Sequence, residues 1–128
     1  MKYFVWPFLL AMIFFFTWYF INPNSLTFSY AYLYIGLILL VFPIVTTLSF
    51  FPRLLSKYVK VGAYFSALMG LFEFTGVTLN HWIFPGKNFI GWVPYFGYKI
   101  PVEEFIFWIV LTSVGILSYY EFFDDDTK

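Results

Sequence analysis

Three carboxylates stand inside long apolar stretches of this 128-residue chain: Glu73, and the adjacent pair Glu103 and Glu104. A charged side chain at the centre of a bilayer costs about 2.5–3.5 kcal/mol on insertion scales, so such residues face the interior of a bundle and mark function. Glu103 and Glu104 follow Pro101. Proline suits the first helical position, which puts both carboxyls in the first turn, where the helix dipole favours negative charge. That alone accounts for the pair structurally. A chemical role is also open, because neighbours on a helix point about 100° apart and so meet different surroundings. The dipole favours the charged form of a carboxyl and burial the neutral form. Two carboxyls separated in this way can serve as acid and base.

Glu73 belongs to a helical stripe: Gly62, Ser66, Gly70, Glu73, Gly76 and Asn80 recur at intervals of three and four. Small residues let a second helix approach closely, and polar ones bond across the seam. Glu73 is therefore either a bonded seam residue or a titrating group in a pocket. His81, the single histidine, follows eight residues later, about two turns along the same face. It is a hydrogen-bonded interface residue or, alternatively, a ligand or proton carrier. Trp82, Trp92, Trp108 and the many tyrosines suit the aromatic belts of membrane interfaces.

The elements that position these groups follow from the charge pattern. Residues 3–21 and 30–51 carry no charge, 61–84 carry only Glu73, and 100–120 carry only Glu103 and Glu104. A helix crossing a bilayer needs about 20 apolar residues. The expected fold is all-α, an integral membrane bundle of four transmembrane helices. The first run ends in Trp18-Tyr19-Phe20 rather than in small residues suited to cleavage, so a retained helix is expected there instead of a signal peptide. Turn chemistry falls at Asn22-Pro23-Asn24-Ser25, across 52–60, and from Pro85-Gly86 through Pro94 and Gly97. Five of the seven Lys and Arg residues (Lys2, Arg53, Lys57, Lys60, Lys128) fall on one side of such a bundle. Lys87 and Lys99 fall on the other, which predicts that both termini are cytoplasmic.

Composition narrows the chemistry. Hydrophobic residues make up 62% and charged residues 11%, with no net charge, so no basic field exists to attract nucleic acid. The chain has no cysteine, which excludes disulfides and thiolate metal sites. A metal site would have to use His81 with carboxylates; no GxGxxG motif is present for a dinucleotide, and no cofactor is expected.

Residues 30–123 resemble the lycopene cyclase domain of carotenoid biosynthesis, the small integral-membrane type found in heterodimeric and fused cyclases. The most specific piece is Pro101-Val102-Glu103-Glu104-Phe105-Ile106-Phe107, which is similar to the Pro-x-Glu-Glu signature and aromatic helix of that family. Upstream, Phe72-Glu73, Trp82-Ile83-Phe84 and Gly91 follow its aromatic-acid pair, Trp-x-Phe and glycine. Phe72-Glu73 stands where that family usually has Trp-Asp. Phe51-Pro52-Arg53 and Tyr120-Glu121 resemble its first interhelical loop and the end of its third helix.

The resemblance implies a division into 1–29, an added N-terminal transmembrane helix and loop; 30–123, a three-helix cyclase-like unit; and 124–128, an acidic tail. It implies a redox-neutral cyclisation of a linear, lycopene-like carotene end. An acid protonates the terminal C1=C2 bond, C5=C6 attacks the cation, and a base removes a proton. Loss from C6 gives a β-ring, from C4 an ε-ring, and from the exocyclic methyl a γ-ring. Glu104 or Glu103 would be the acid and Glu73 the base or counter-charge. Trp82, Phe107 and Trp108 would face the cation, since aromatic faces stabilise cations by about 0.5–2 kcal/mol. Phe84, Trp92 and His81 would complete the substrate-binding set. Working units of that family have two such domains, so the expected partners are membrane lipid and a second cyclase-domain subunit or a second copy of this chain. Two other readings remain at this stage: a subunit of an elongating, prenyl-transferring carotenoid cyclase, and a non-catalytic membrane scaffold or proton-pathway subunit.

Overall fold

The uncharged runs fold as helices. The computed structural model describes residues 3, 5–23, 30–80 and 89–124. In chain order α1 is Val5–Ile21, α2 is Ala31–Phe50, α3 is Pro52–Thr78 and, after a β-hairpin, α4 is Glu104–Phe123. At 20, 27 and 20 residues, α2, α3 and α4 are each long and apolar enough to cross a membrane. The apolar α1 has 17 residues.

Two elements differ from the sequence reading. Residues 52–60 are not a loop: Pro52–Leu54 form a 3₁₀ turn and Leu55 opens the α-helical part of α3. Phe51 alone joins α2 to α3, outside the helical region at φ −132° and ψ 69°. Pro52 dictates this, because proline pushes the preceding residue out of the α region while itself fitting a first turn. The charges mistaken for a loop lie on the first turns of α3, where Lys57 pairs with Glu121 of α4.

The second difference is a small sheet, which makes the chain more than all-α. β1, Trp92–Tyr95, pairs antiparallel with β2, Tyr98–Pro101, with Trp92 opposite Pro101 and Tyr95 opposite Tyr98. The turn residues Phe96 and Gly97 both have positive φ, 47° and 87°, as a two-residue type I′ hairpin requires. Pro101 closes β2 instead of opening the helix, and Val102 and Glu103, already helical in backbone, lead into α4.

Packing follows the predicted stripe. Gly70, Glu73 and Gly76 are buried on α3, Gly62 and Ser66 are half-buried, and Asn80 is exposed in the turn beyond the helix. The face meets α4 of the same chain. A Cβ on Gly62 would lie 3.2 Å from Val114, and the Ser66 hydroxyl donates to the Val110 carbonyl at 3.5 Å. At the α2–α3 link, Leu54, Tyr58 and Val114 form an apolar core, and Tyr58 and Ser118 share a 2.9 Å hydrogen bond. Phe8 of α1 stacks on Phe122 of α4 with ring centroids 5.7 Å apart.

Both α2 and α4 contain π-helical stretches, Leu37–Val41 and Glu104–Leu111. In α2 the wide turn precedes Pro43, which has no N–H to give to Leu39 four residues back. The Phe42 N–H reaches back to Leu37, and the Tyr119 hydroxyl of α4 donates to the Leu39 carbonyl at 2.7 Å. Tyr119→Phe keeps the ring but leaves that carbonyl without its donor, an expected loss of about 1–3 kcal/mol. Denaturation in detergent micelles measures this; an unchanged midpoint would show that the bond contributes nothing.

Candidate functional site

The three membrane-type carboxyls gather where the hairpin meets α3 and α4. Glu73 and Glu103 are 0% exposed and Glu104 is 7% exposed. Glu73 comes from the small-residue face of α3, one turn beyond Gly70. Glu103 and Glu104 come from the start of α4, directly after β2.

Each carboxyl of the adjacent pair turns to a different element. Glu103 Oε1 accepts the backbone N–H of Ile90 at 2.9 Å, on the hairpin side. Its Oε2 is buried and has no hydrogen-bond partner among the described residues. Glu104 Oε2 accepts the hydroxyl of Tyr32, in the first turn of α2, at 2.6 Å. Tyr32 thus ties the start of α2 to Glu104.

The hairpin is fastened to the site by Tyr95. Its hydroxyl donates to the Gly70 carbonyl at 2.5 Å, and Phe96 beside it meets Phe74 of α3 edge-on, with centroids 5.3 Å apart. Gly70 is required here because a Cβ would sit 2.9 Å from the Tyr95 oxygen. Burial, and then the Glu73 carboxylate, push the Tyr95 phenol above its ordinary pKa. It therefore stays protonated, as a donor must.

Aromatic rings stand beside Glu104. The rings of Tyr32 and Phe107 stack with centroids 6.1 Å apart and planes 21° from parallel. Phe107 lies against α2 at Gly36, where a Cβ would come within 2.5 Å of the ring. Beside them a cavity of about 260 Å³ is lined by Tyr32, Gly36, Leu39, Phe107, Trp108 and Thr112. The Trp108 indole N–H is buried and has no acceptor among the described residues. A larger groove of about 510 Å³ lies between α3 and the hairpin, bounded by Gly70, Phe74, Tyr95 and Phe96, with Ile109 of α4.

Of the residues singled out by sequence, Glu73, Glu103, Glu104, Phe107 and Trp108 come together here. Trp92 does not: it is 52% exposed on β1, with its ring edge-on to Phe89. His81, Trp82 and Phe84 lie outside the described residues. Tyr32, Gly36 and Tyr95 are the site residues that sequence reasoning missed. Tyr32 and Gly36 stand one turn apart, a spacing that carries a signal only once the facing ring of Phe107 is known.

The arrangement sets buried carboxyls beside an apolar cavity with aromatic rings in its wall. Among the described residues no group of three His, Cys, Asp or Glu side chains could hold a metal ion. No family model, no curated protein and no solved structure matches the chain.

Proposed function

We propose that the chain is a lycopene-cyclase-type membrane protein, or one subunit of such an enzyme, which closes a ring at a linear carotene end. The observation that carries the reading is the burial of Glu73, Glu103 and Glu104, with Glu104 bonded to Tyr32 at the wall of an apolar cavity that Phe107 and Trp108 also line. The Pro-x-Glu-Glu resemblance supports it, since the signature carboxyls are the ones that gather there.

The reaction needs one proton delivered to C1=C2 and one removed after C5=C6 has closed the ring, with no net redox change. A carboxyl of the Glu103–Glu104 pair delivers the proton, and Glu73 acts as base or counter-charge. The stacked Tyr32 and Phe107 rings and the Trp108 face tolerate the intervening cation. Exclusion of water keeps that cation from being quenched to a tertiary alcohol. In this reading α2, α3 and α4 form the cyclase-type unit and α1 is an added fourth span. The second domain is supplied by a partner subunit or a second copy. Expression in lycopene-making cells, with and without a candidate partner, followed by pigment analysis, tests the reading. Cyclic carotene in either strain supports it. Unchanged lycopene in both overturns it and leaves the scaffold role.

The reading includes both termini in the cytoplasm, from the five-to-two division of Lys and Arg. A topology reporter fused after Lys128, or inserted at Phe51, is expected to read cytoplasmic. One inserted in residues 85–99 is expected to read external. A cytoplasmic signal from 85–99 would reverse the orientation.

A further inference from the structure

The adjacent carboxyls are bonded so differently that their tasks can be told apart. Glu103 Oε1 faces the Ile90 backbone N–H, which can only donate, so this oxygen is an acceptor. Its other oxygen, Oε2, is buried with no partner among the described residues. With no partner to stabilise a charge on it, this oxygen costs less to bury as a neutral O–H than as a bare ionised oxygen. Glu104 Oε2 accepts a hydrogen bond from the Tyr32 hydroxyl at 2.6 Å, and a hydroxyl donor is bound more strongly by an ionised carboxyl than by a neutral one. Tyr32 is itself held in place, stacked on Phe107, which in turn fits against Gly36. Among the described residues no Lys or Arg pairs with either carboxyl. Among the described residues the other titratable groups at the site are Glu73 from α3 and Tyr95 from the hairpin.

We propose that Tyr32 is a positioning residue that holds Glu104 as the proton acceptor of the pair, while Glu103, with Oε2–H unengaged, is the proton donor. This rests on the cyclisation reading for its purpose. Glu103 would give its Oε2 proton to C1=C2, and Glu104 would take one from the ring cation. The proton then passes between the neighbouring carboxyls, so the pair resets with no net gain or loss. Glu73 is left as the counter-charge to the cation.

The test is infrared spectroscopy of the full chain in lipid, reading the C=O stretch of protonated carboxyls in ordinary and heavy water. The expected result is a protonated-carboxyl band that Glu103→Gln removes and Glu104→Gln retains. The band lost in Glu104→Gln, retained in Glu103→Gln, or absent from the native protein overturns the division. Should Glu103→Gln fail to fold, the Glu104→Gln spectrum decides alone: retention supports the proposal and loss overturns it. In cells where the native chain cyclises, Tyr32→Phe keeps the stacked ring but removes the donor. It is expected to lower cyclic product about tenfold to a hundredfold, as loss of a hydrogen bond to a charged group implies. It is also expected to change the ratio of β-, ε- and γ-rings, because the proton acceptor has moved. A lower yield with an unaltered ring ratio would make Tyr32 merely structural. A native chain that never cyclises overturns the functional reading, and the infrared result then judges the division of protons by itself.

Discussion

In lycopene-making cells that carry the required partner, Glu103→Gln and Glu104→Gln are each expected to lose cyclic product by at least about 100-fold, the lower end for general acid–base catalysis. The amide keeps the size of the side chain and still bonds. Glu103→Gln can accept from Ile90, and Glu104→Gln can accept from Tyr32, as the carboxyls do. Protein level in the membrane should therefore stay close to normal. What the amide loses is exchange of a proton at the carboxyl oxygen. If the pair only steadied the start of α4, the same changes would cost about 0.3–1 kcal/mol and leave the pigment untouched. Glu73→Gln is expected to lower ring formation too, with a tertiary alcohol accumulating if the cation goes uncontrolled. Full cyclisation by all three amides at matched protein levels would remove the carboxyl mechanism.

Gly70→Leu should be the most damaging change to the fold. A Cβ at this position would already press to 2.9 Å from the Tyr95 hydroxyl, and Ile109 lies 4.0 Å away on the α4 side. A leucine must displace the hairpin, α4 or both, and overpacking of this kind typically costs about 1–3 kcal/mol. The Tyr95 bond to the Gly70 carbonyl is expected to break with it. Thermal unfolding in detergent and yield in the membrane should both fall. Tyr64→Leu, on the exposed face of the same helix, should stay within about 0.5 kcal/mol of the native protein. Equal behaviour of the two variants would show that the glycine face is not a tight seam.

The α3 seam was legible in the sequence because close helix packing selects small residues at a fixed interval, and that interval survives without any partner in view. Gly62, Ser66, Gly70, Glu73 and Gly76 all lie on the buried or half-buried face. Asn80 keeps the interval but stands past the helix end, with φ at 55°. The start of α3 was misread because Lys57 and Lys60 break the apolar run, and hydropathy cannot separate a charged loop from a charged helix end. Lys57 belongs to the helix because its ammonium reaches Glu121, 64 residues away in sequence. The hairpin was hidden by Pro94 and Pro101, which argue against strands, and by Phe96, which takes a conformation usually left to glycine or asparagine. Tyr32 could not be told from the other ten tyrosines: its partner Glu104 is 72 residues downstream. The carboxyls themselves were conspicuous because charge is scarce here; their hydrogen-bond donors were not.

The π-helical stretch at Glu104–Leu111 sets a rotational phase. Upstream of it the chain presents Glu103; downstream it presents the seam residues Val114, Ser118 and Glu121. A wide turn takes up about one residue more than an α-turn, which is about 100° of rotation about the helix axis. Removing one residue from this stretch would let it wind as ordinary α-helix. The two ends of α4 could then no longer face the same neighbours: with Ser118 and Glu121 kept on Tyr58 and Lys57, the carboxyl pair would swing away from Tyr32 and Ile90. The wide turn thus acts as a keyway, aligning a lock at one end of the helix with an anchor at the other.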